Sequence, residues 1–300
     1  MKILLTGGTG FVGKGIVSRL AQDGHDLVCL VRPGSEGKLS TVNAEKGSLS
    51  LLPGDLFDPA SLERAAAGCD AVIHLVGIIR ENRKAGISFE RIHVSGTRHV
   101  VEAAKKAGVS RFIQMSALGA RANAASPYHQ SKYAAELIVK ESGIPYTIFQ
   151  PSVIFGPGDE FVNMLAELVR LPLTPVIGSG QYRLQPVARE TVAEVFTQAL
   201  TCEAAVNQTF EVGGPEQLTY LQILDSIGEA LGRRVRKLFI PLAVMKPVIN
   251  VMERFPFFPI TNAQLTMLLE ENICQDEKRL YSTFHVPAIR FAEGIRSYLR

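Results

Sequence analysis

Residues 2–13 read Lys2-Ile3-Leu4-Leu5-Thr6-Gly7-Gly8-Thr9-Gly10-Phe11-Val12-Gly13, an apolar strand that enters a glycine turn and leaves it with helical spacing. Gly7 suits the tight turn, Gly10 lets backbone approach a ligand with no Cβ in the way, and Gly13 lets the helix pack close to the sheet. The first turn of a helix carries N–H groups without intrahelical partners and lies at the positive end of the dipole. Such a turn holds phosphate, so Thr6, Gly7, Gly10, Phe11, Val12 and Gly13 are the candidates for gripping the pyrophosphate of a dinucleotide.

Outward from this turn, short apolar runs alternate with longer stretches of helical period. Strands are expected at Ile3 to Leu5, Leu27 to Val31, Leu51 to Leu52, Ala71 to Val76, Phe112 to Met115 and Tyr146 to Phe149. Helices are expected over Phe11 to Gln22, Pro59 to Ala67, Ser88 to Ala107 and Pro127 to Ser142. Gly24, Gly68, Gly108 and Gly143 each follow a periodic segment, as left-handed helix ends do, and Ser126-Pro127 offers a cap oxygen followed by a first helical residue. This βαβ order implies an α/β fold, a Rossmann-type doubly wound parallel sheet with a smaller C-terminal substrate lobe. Residues 1–155 are read as the dinucleotide-binding core and 156–300 as the substrate or cap lobe, with segments near 183–187 and 208–213 returning to the core. Within the lobe, helices are expected at Phe161 to Arg170, Tyr220 to Leu231 and Pro287 to Leu299, and a sheet strand at Thr209 to Val212.

The chain has 300 residues, 46% of them hydrophobic and 20% charged, enough for one large α/β domain with a lobe. Thirty-two basic and 29 acidic residues leave a formal charge of +3, scattered rather than blocked, which argues against nucleic acid as a partner. The four cysteines, Cys29, Cys69, Cys202 and Cys274, form no CxxC pair, so free thiols are expected and a metal is not indicated. The chain opens directly on a strand with no leader, which leads to the expectation of a cytoplasmic protein, or one peripheral at the inner face of a membrane. Leu238 to Ile260 is strongly apolar but broken by four prolines, and reads as core and lid, as a wall for an apolar or quinone-like substrate, or as a shallow membrane contact.

An acidic residue at the end of the second strand would hold the adenosine ribose, but that place reads Leu30-Val31-Arg32-Pro33. Arg32, with Lys38 helping, offers a planar cation suited to a 2′-phosphate, so NADP is favoured with NAD as the alternative. Asp55 is placed to accept from the adenine amino group with Leu56 against the ring, while Asp58 reads as the cap of the next helix. Val76 and Gly77 would let the cofactor run past the fourth strand, and His74, within it, reads as a core histidine. Tyr128 and Lys132 stand one helical turn apart, and a fixed ammonium beside a phenol favours the phenolate for moving a proton while nicotinamide moves a hydride.

Thr6 to Gly13, Gly54 to Asp58, His74 to Gly77, Tyr128 to Lys132 and Pro151 to Gly156 occur in the order and at the intervals of the extended short-chain dehydrogenase/reductases, which include NAD-dependent epimerase/dehydratases. The chain most resembles an atypical branch, the bacterial relatives of the nucleotide-binding accessory subunit of respiratory NADH:ubiquinone oxidoreductase. That resemblance rests on His74 to Glu81, on Arg183 to Val187, and on Pro259-Ile260-Thr261 before Gln264-Leu265. It implies that Tyr128, Lys132 and Ser116 are catalytic, that Lys132 contacts the nicotinamide ribose, and that Pro151 and Val153 flank the nicotinamide. It also places Ala117 where a typical epimerase has its working hydroxyl, and gives Arg183 to Val187, Arg189 and Glu190 the substrate side, where the arginines could meet a diphosphate.

Three functions follow as expectations. The first is an NAD(P)-dependent oxidoreductase using Tyr128 and Lys132. The second is a non-catalytic or weakly catalytic dinucleotide-binding accessory protein linked to a respiratory complex or quinone metabolism, suggested by Ala117 and by Phe255, Phe257 and Phe258. The third is a nucleotide-sugar epimerase or dehydratase.

Overall fold

In the computed structural model, which describes residues 1–42, 46–253, 255 and 260–299, the N-terminal half forms six parallel strands. These are β1 (Lys2–Thr6), β2 (Asp26–Val31), β3 (Ser48–Pro53), β4 (Ala71–His74), β5 (Arg111–Met115) and β6 (Tyr146–Pro151). With a seventh strand, Gln208–Val212, outside β6, the sheet runs in the order seventh strand, β6, β5, β4, β1, β2, β3. Leu4 sits level with Val28 on one side and Val72 on the other, so β1 is central and buried on both faces. The chain order reverses between β1 and β4, and in such sheets ligands bind at the carboxyl ends of the strands beside this point.

Helices α1 (Phe11–Gln22), α2 (Pro59–Ala66), α3 (Gly96–Lys106) and α4 (Pro127–Lys140) connect the strands. Ile16, Val17, Leu20 and Ala21 form the buried stripe of α1, and Leu62, Val100, Phe112, Val139 and Ile148 belong to one core cluster with Leu4 and Val72. Gly24, Gly68, Gly108 and Gly143 have φ between +66° and +82°, as their places after helices required. Asp58 caps α2 by accepting from the Ala60 amide. Ser126 does not cap α4: its hydroxyl is buried without a hydrogen-bond partner among the described residues, and Pro127 alone opens the helix. β4 stops at His74 rather than Val76, and the expected helix from Ser88 begins with a π-helical turn, Glu90–Ser95, before α3.

By internal contacts the chain divides into two compact units. The first comprises Met1–Pro151, Glu190–Glu211 and Asp276–Val286, and the second Ser152–Arg189, Val212–Gln275 and Pro287–Arg300. A buried guanidinium ties the returning segment into the first unit: Arg111 donates to the Ala199 carbonyl at 3.1 and 2.8 Å and to the Thr147 hydroxyl at 2.6 Å. Thr147 in turn donates to the Ala205 carbonyl at 2.6 Å, and the ring of Phe149 lies 4.8 Å from Phe196, 6.0 Å from Phe210 and 5.6 Å from Phe284. Contrary to the sequence expectation, residues 183–187 stay with the second unit, because Arg183–Leu184 pairs with Leu218–Thr219 and Val187–Ala188 pairs with Ile154–Phe155. The same pairing moves the boundary from residue 155 back to Pro151.

The second unit has a core of its own, built on helices Glu160–Arg170 and Tyr220–Ala230 with Phe155, Val176 and Phe291. Asp159 accepts from the Val162 amide and from the Tyr298 hydroxyl at 2.7 Å, joining the start of one helix to the end of the chain. The expected C-terminal helix is shortened to Phe291–Arg296. Leu238 to Ile260 supplies a strand, Lys237–Ile240, and a helix, Leu242–Met252; Phe257, Phe258 and Pro259 lie outside the described residues. All four cysteines are free, and among the described residues no helix is long and apolar enough to cross a membrane.

A Cβ on Gly13 would lie 2.3 Å from the Gly7 carbonyl oxygen and 2.7 Å from the Gly8 Cα, whereas one on Gly37 would meet nothing within 4 Å. Because the clash is with backbone, Gly13→Ala should destabilise the protein by at least about 2 kcal/mol in urea unfolding. Gly37→Ala should fall within about 0.5 kcal/mol of the parent. Equal stability of the two variants would show that the helix does not rely on this approach.

Candidate functional site

The glycine turn has the shape the sequence required. Gly7 has φ of +81°, and a Cβ there would press to 3.0 Å on the backbone of Leu75 and Val76, so the exit of β4 closes one side of the turn. A Cβ at Gly10 would meet only the Gly7 carbonyl, at 3.3 Å. Gly10 is the N-cap of α1, with no side chain to satisfy the first turn and no acid within it. Backbone thus provides the donors, with Phe11, Val12 and Gly13 as the first helical residues, and this cradle fits a diphosphate.

Along the carboxyl edge, Arg32 is exposed after β2 and makes no ion pair or side-chain hydrogen bond among the described residues. The Asp55 carboxylate is also exposed, one oxygen accepting from the Phe57 amide at 2.9 Å, and Leu56 is folded into the core against Gly96. Gly77 lies beside the proposed reaction centre: a Cβ there would come within 3.5 Å of His93 Nε2 and 3.7 Å of Lys132 Nζ. Pro151 ends β6 in the first unit, and Val153 belongs to the second, where its carbonyl accepts from the Val187 amide.

Thr6 and His74 meet beneath the turn. The Thr6 hydroxyl is 2.5 Å from His74 Nδ1, and His74 Nε2 is 3.2 Å from the Thr97 hydroxyl, so one ring nitrogen donates and the other accepts. Burial, helped by the Lys132 charge, lowers the His74 pKa to about 3 and keeps the ring neutral. His93 is lowered to about 3 for the same reasons. Its tautomer follows from its partners: the Ile78 amide donates to Nε2 at 3.0 Å, and the Ser131 hydroxyl donates to the Tyr128 carbonyl at 2.8 Å. Nδ1 must therefore carry the proton and donate to Ser131 Oγ, 2.8 Å away.

Tyr128 and Lys132 share a face of α4, as their spacing required. The tyrosine ring is enclosed by Phe89, His93 and His129, with centroids at 5.7, 5.5 and 5.4 Å. This enclosure pushes the phenol up to about 12, the opposite of the expected phenolate. Lys132 donates from Nζ to the Met115 carbonyl at 2.6 Å; burial brings it down to about 8, against the opposing pull of Glu136. At neutral pH the phenol is thus protonated and Lys132, on the same helical face, is a cation.

The placement of Ser116 corrects a further expectation. Its hydroxyl donates to Glu136 Oε1 at 2.5 Å, and the same oxygen accepts from Gln150 Nε2 at 2.8 Å while Oε2 accepts from Lys140 at 3.2 Å. A buried carboxylate requires such donors, so Ser116 is held by the carboxylate instead of being left to polarise a substrate oxygen. Ala117 follows it, buried and without a hydroxyl. The arginines considered for a substrate diphosphate also have protein partners: Arg183 donates to both Glu271 oxygens, at 2.9 and 3.1 Å, and Arg189 to the Pro157 carbonyl at 3.1 Å.

The sequence reading missed His93 and Glu136. Glu136 extends the Tyr128–Lys132 row by another four residues along α4, a signal that helical periodicity carries. His93 gave no such signal, because the π-helical turn that aims its ring breaks that period.

Since both histidines are held neutral, the unfolded chain takes up protons first as pH falls below 6.5, and stability is lost from there down to about 3. Each ring contributes a slope of at most about 1.4 kcal/mol per pH unit. Urea unfolding of a His93→Gln variant at pH 7 and pH 4.5 should therefore show a smaller acid loss than the parent, and an unchanged loss would place His93 outside the linkage.

A family described as NAD(P)H-binding matches residues 7–203. The chain is 26% identical over 296 residues to the NADH-ubiquinone oxidoreductase 40 kDa subunit, mitochondrial, of Neurospora crassa, an alignment covering 98% of this chain and 77% of that protein. It is 30% identical over 240 residues to a ceramide reductase of Caulobacter vibrioides, covering 80% of this chain and 73% of that one. Among solved structures, MoeE5 in complex with UDP-glucuronic acid and NAD has the same fold, with a TM-score of 0.77 at 19% identity over 100% of this chain and 98% of that one. By the family match over residues 7–203, about two thirds of its length, this chain belongs to the NAD(P)H-binding family.

Proposed function

We propose that this protein retains a nicotinamide dinucleotide as an accessory-type subunit of a respiratory or quinone-linked assembly, with its acid/base chemistry curtailed. The observation that carries this reading is the Ser116–Glu136 hydrogen bond of 2.5 Å, with Ala117 as the next residue. Loss of one preorganised donor costs about 3 kcal/mol of transition-state stabilisation, or a hundredfold or more in rate. Similarity to the 40 kDa subunit over 98% of the chain supports the same reading.

On this proposal the first turn of α1 holds the diphosphate, Asp55 and Leu56 the adenine, Val76 and Gly77 line the path, and Lys132 reaches the nicotinamide ribose, with Pro151 beside the ring. Bound there, the nicotinamide supplies or accepts hydride. Arg32 supports a preference for the 2′-phosphate of NADP, and NAD remains the alternative.

A second reading, a reductase, is favoured by one feature. Tyr128 keeps its proton at neutral pH, and Lys132 stands on the same helical face, so the tyrosine is set to donate a proton to a substrate oxygen rather than to remove one. The likeness to ceramide reductase supports an apolar carbonyl substrate for that reaction.

Two measurements decide between the readings. With NADH or NADPH and carbonyl or quinone acceptors, the accessory reading expects tight binding by cofactor fluorescence and turnover at least about a hundredfold below an ordinary ~10 s⁻¹. Ordinary turnover that collapses in Tyr128→Phe while binding persists would establish the reductase instead. For the cofactor, Arg32→Ala should weaken NADPH about tenfold in a fluorescence titration and leave NADH unchanged; equal losses for both would remove the 2′-phosphate role.

A further inference from the structure

The strand Lys237–Ile240 and the helix Leu242–Met252 of the second unit expose apolar side chains that a water-facing surface does not require. Leu238 is 48% exposed, Phe239 52%, Val244 54%, Val248 40% and Val251 51%. The helix is apolar on both sides. Ile249 is buried and Leu242, Met245 and Met252 half-buried along its inner line, while Val244, Val248 and Val251, spaced by four and three, form an outer one. A helix with a second apolar row facing outward needs cover on that row.

The charges of the same stretch say what covers it. From Leu231 to Met252 the chain has five cations, Arg233, Arg234, Arg236, Lys237 and Lys246, and no acid. Lys237 is neutralised by Asp225 at 2.5 Å, and Arg233 donates to the Arg170 carbonyl at 3.1 Å. Arg234, Arg236 and Lys246 are exposed and make no ion pair or side-chain hydrogen bond among the described residues. Exposed aliphatic side chains in a stretch whose Arg234 and Arg236 lack partners among the described residues match a surface with anionic headgroups over hydrocarbon, where long basic side chains keep their charge at the phosphate level.

We propose that this strand and helix dock the protein on an anionic phospholipid bilayer, with Val244, Val248 and Val251 entering the headgroup boundary and Arg234 and Arg236 meeting lipid phosphates. The contact is interfacial, since no described helix is long and apolar enough to span. It is independent of the dinucleotide reading and stands or falls separately from it.

The test is co-sedimentation of the full chain with vesicles of phosphatidylcholine alone and of phosphatidylcholine mixed with phosphatidylglycerol. Binding is expected to the mixed vesicles, to weaken with added salt, and to be far weaker on phosphatidylcholine alone. The pairs Arg234→Glu/Arg236→Glu and Val244→Asn/Val248→Asn should each lower mixed-vesicle binding about tenfold, with circular dichroism and NAD(P)H fluorescence unchanged. Absence of binding to mixed vesicles, or binding that neither pair alters, overturns the proposal. So does self-association in solution that Val244→Asn/Val248→Asn abolishes without any vesicle binding, which would assign the face to a second copy of the chain.

Discussion

The approach of α1 to the loop that precedes it is the constraint on which the site depends. Helix and turn are in contact through backbone, with Gly13 against Gly7 and Gly8, so the helix start is drawn in beside the end of β1 at the point where strand order reverses. Side chains between them would move the first-turn amides outward and remove the concentration of N–H groups that attracts phosphate. Gly7 extends the same constraint to β4, whose exit at Leu75 and Val76 lies against it. The cradle is therefore fixed by the sheet and does not require a flexible loop to close.

Behind the cradle lies a set of buried polar groups that satisfy one another. Thr6, His74 and Thr97 form one chain, His93, Ser131 and the Tyr128 carbonyl another, and Ser116, Glu136, Gln150 and Lys140 a third. Burial makes each bond specific, because an unpaired member would lose hydration with nothing in return. These networks also set protonation: the histidines stay neutral, the phenol keeps its proton, and Lys132 remains the cation among them. A site so arranged is poised to hold and orient, and its serine has already been committed to the carboxylate that Lys132 also faces.

The second unit follows a different balance. Several of its polar side chains are paired within it, Arg183 with Glu271 and Gln185 with the Cys274 amide and the Gly214 carbonyl, while a strand and a helix remain greasy on the outside. Arg183 is engaged by Glu271, and the exposed valines share a stretch with Arg234 and Arg236, which have no side-chain partner among the described residues.

Local spacing determined the parallel sheet, the glycine turn, the helix-ending glycines, the cap at Asp58 and the shared face of Tyr128 and Lys132, because each depends on residues a few positions apart. It did not determine the fate of Ser116, the proton on Tyr128, the orientation of His93 or the place of Glu190 to Asn207 in the first unit. Those depend on partners brought together from distant parts of the chain: Glu136 across from β5, the rings of Phe89 and His93 against the Tyr128 ring, the guanidinium of Arg111 reaching Ala199. Hydrogen bonding and desolvation are properties of the packed neighbourhood, and only the tertiary structure decides which groups share it.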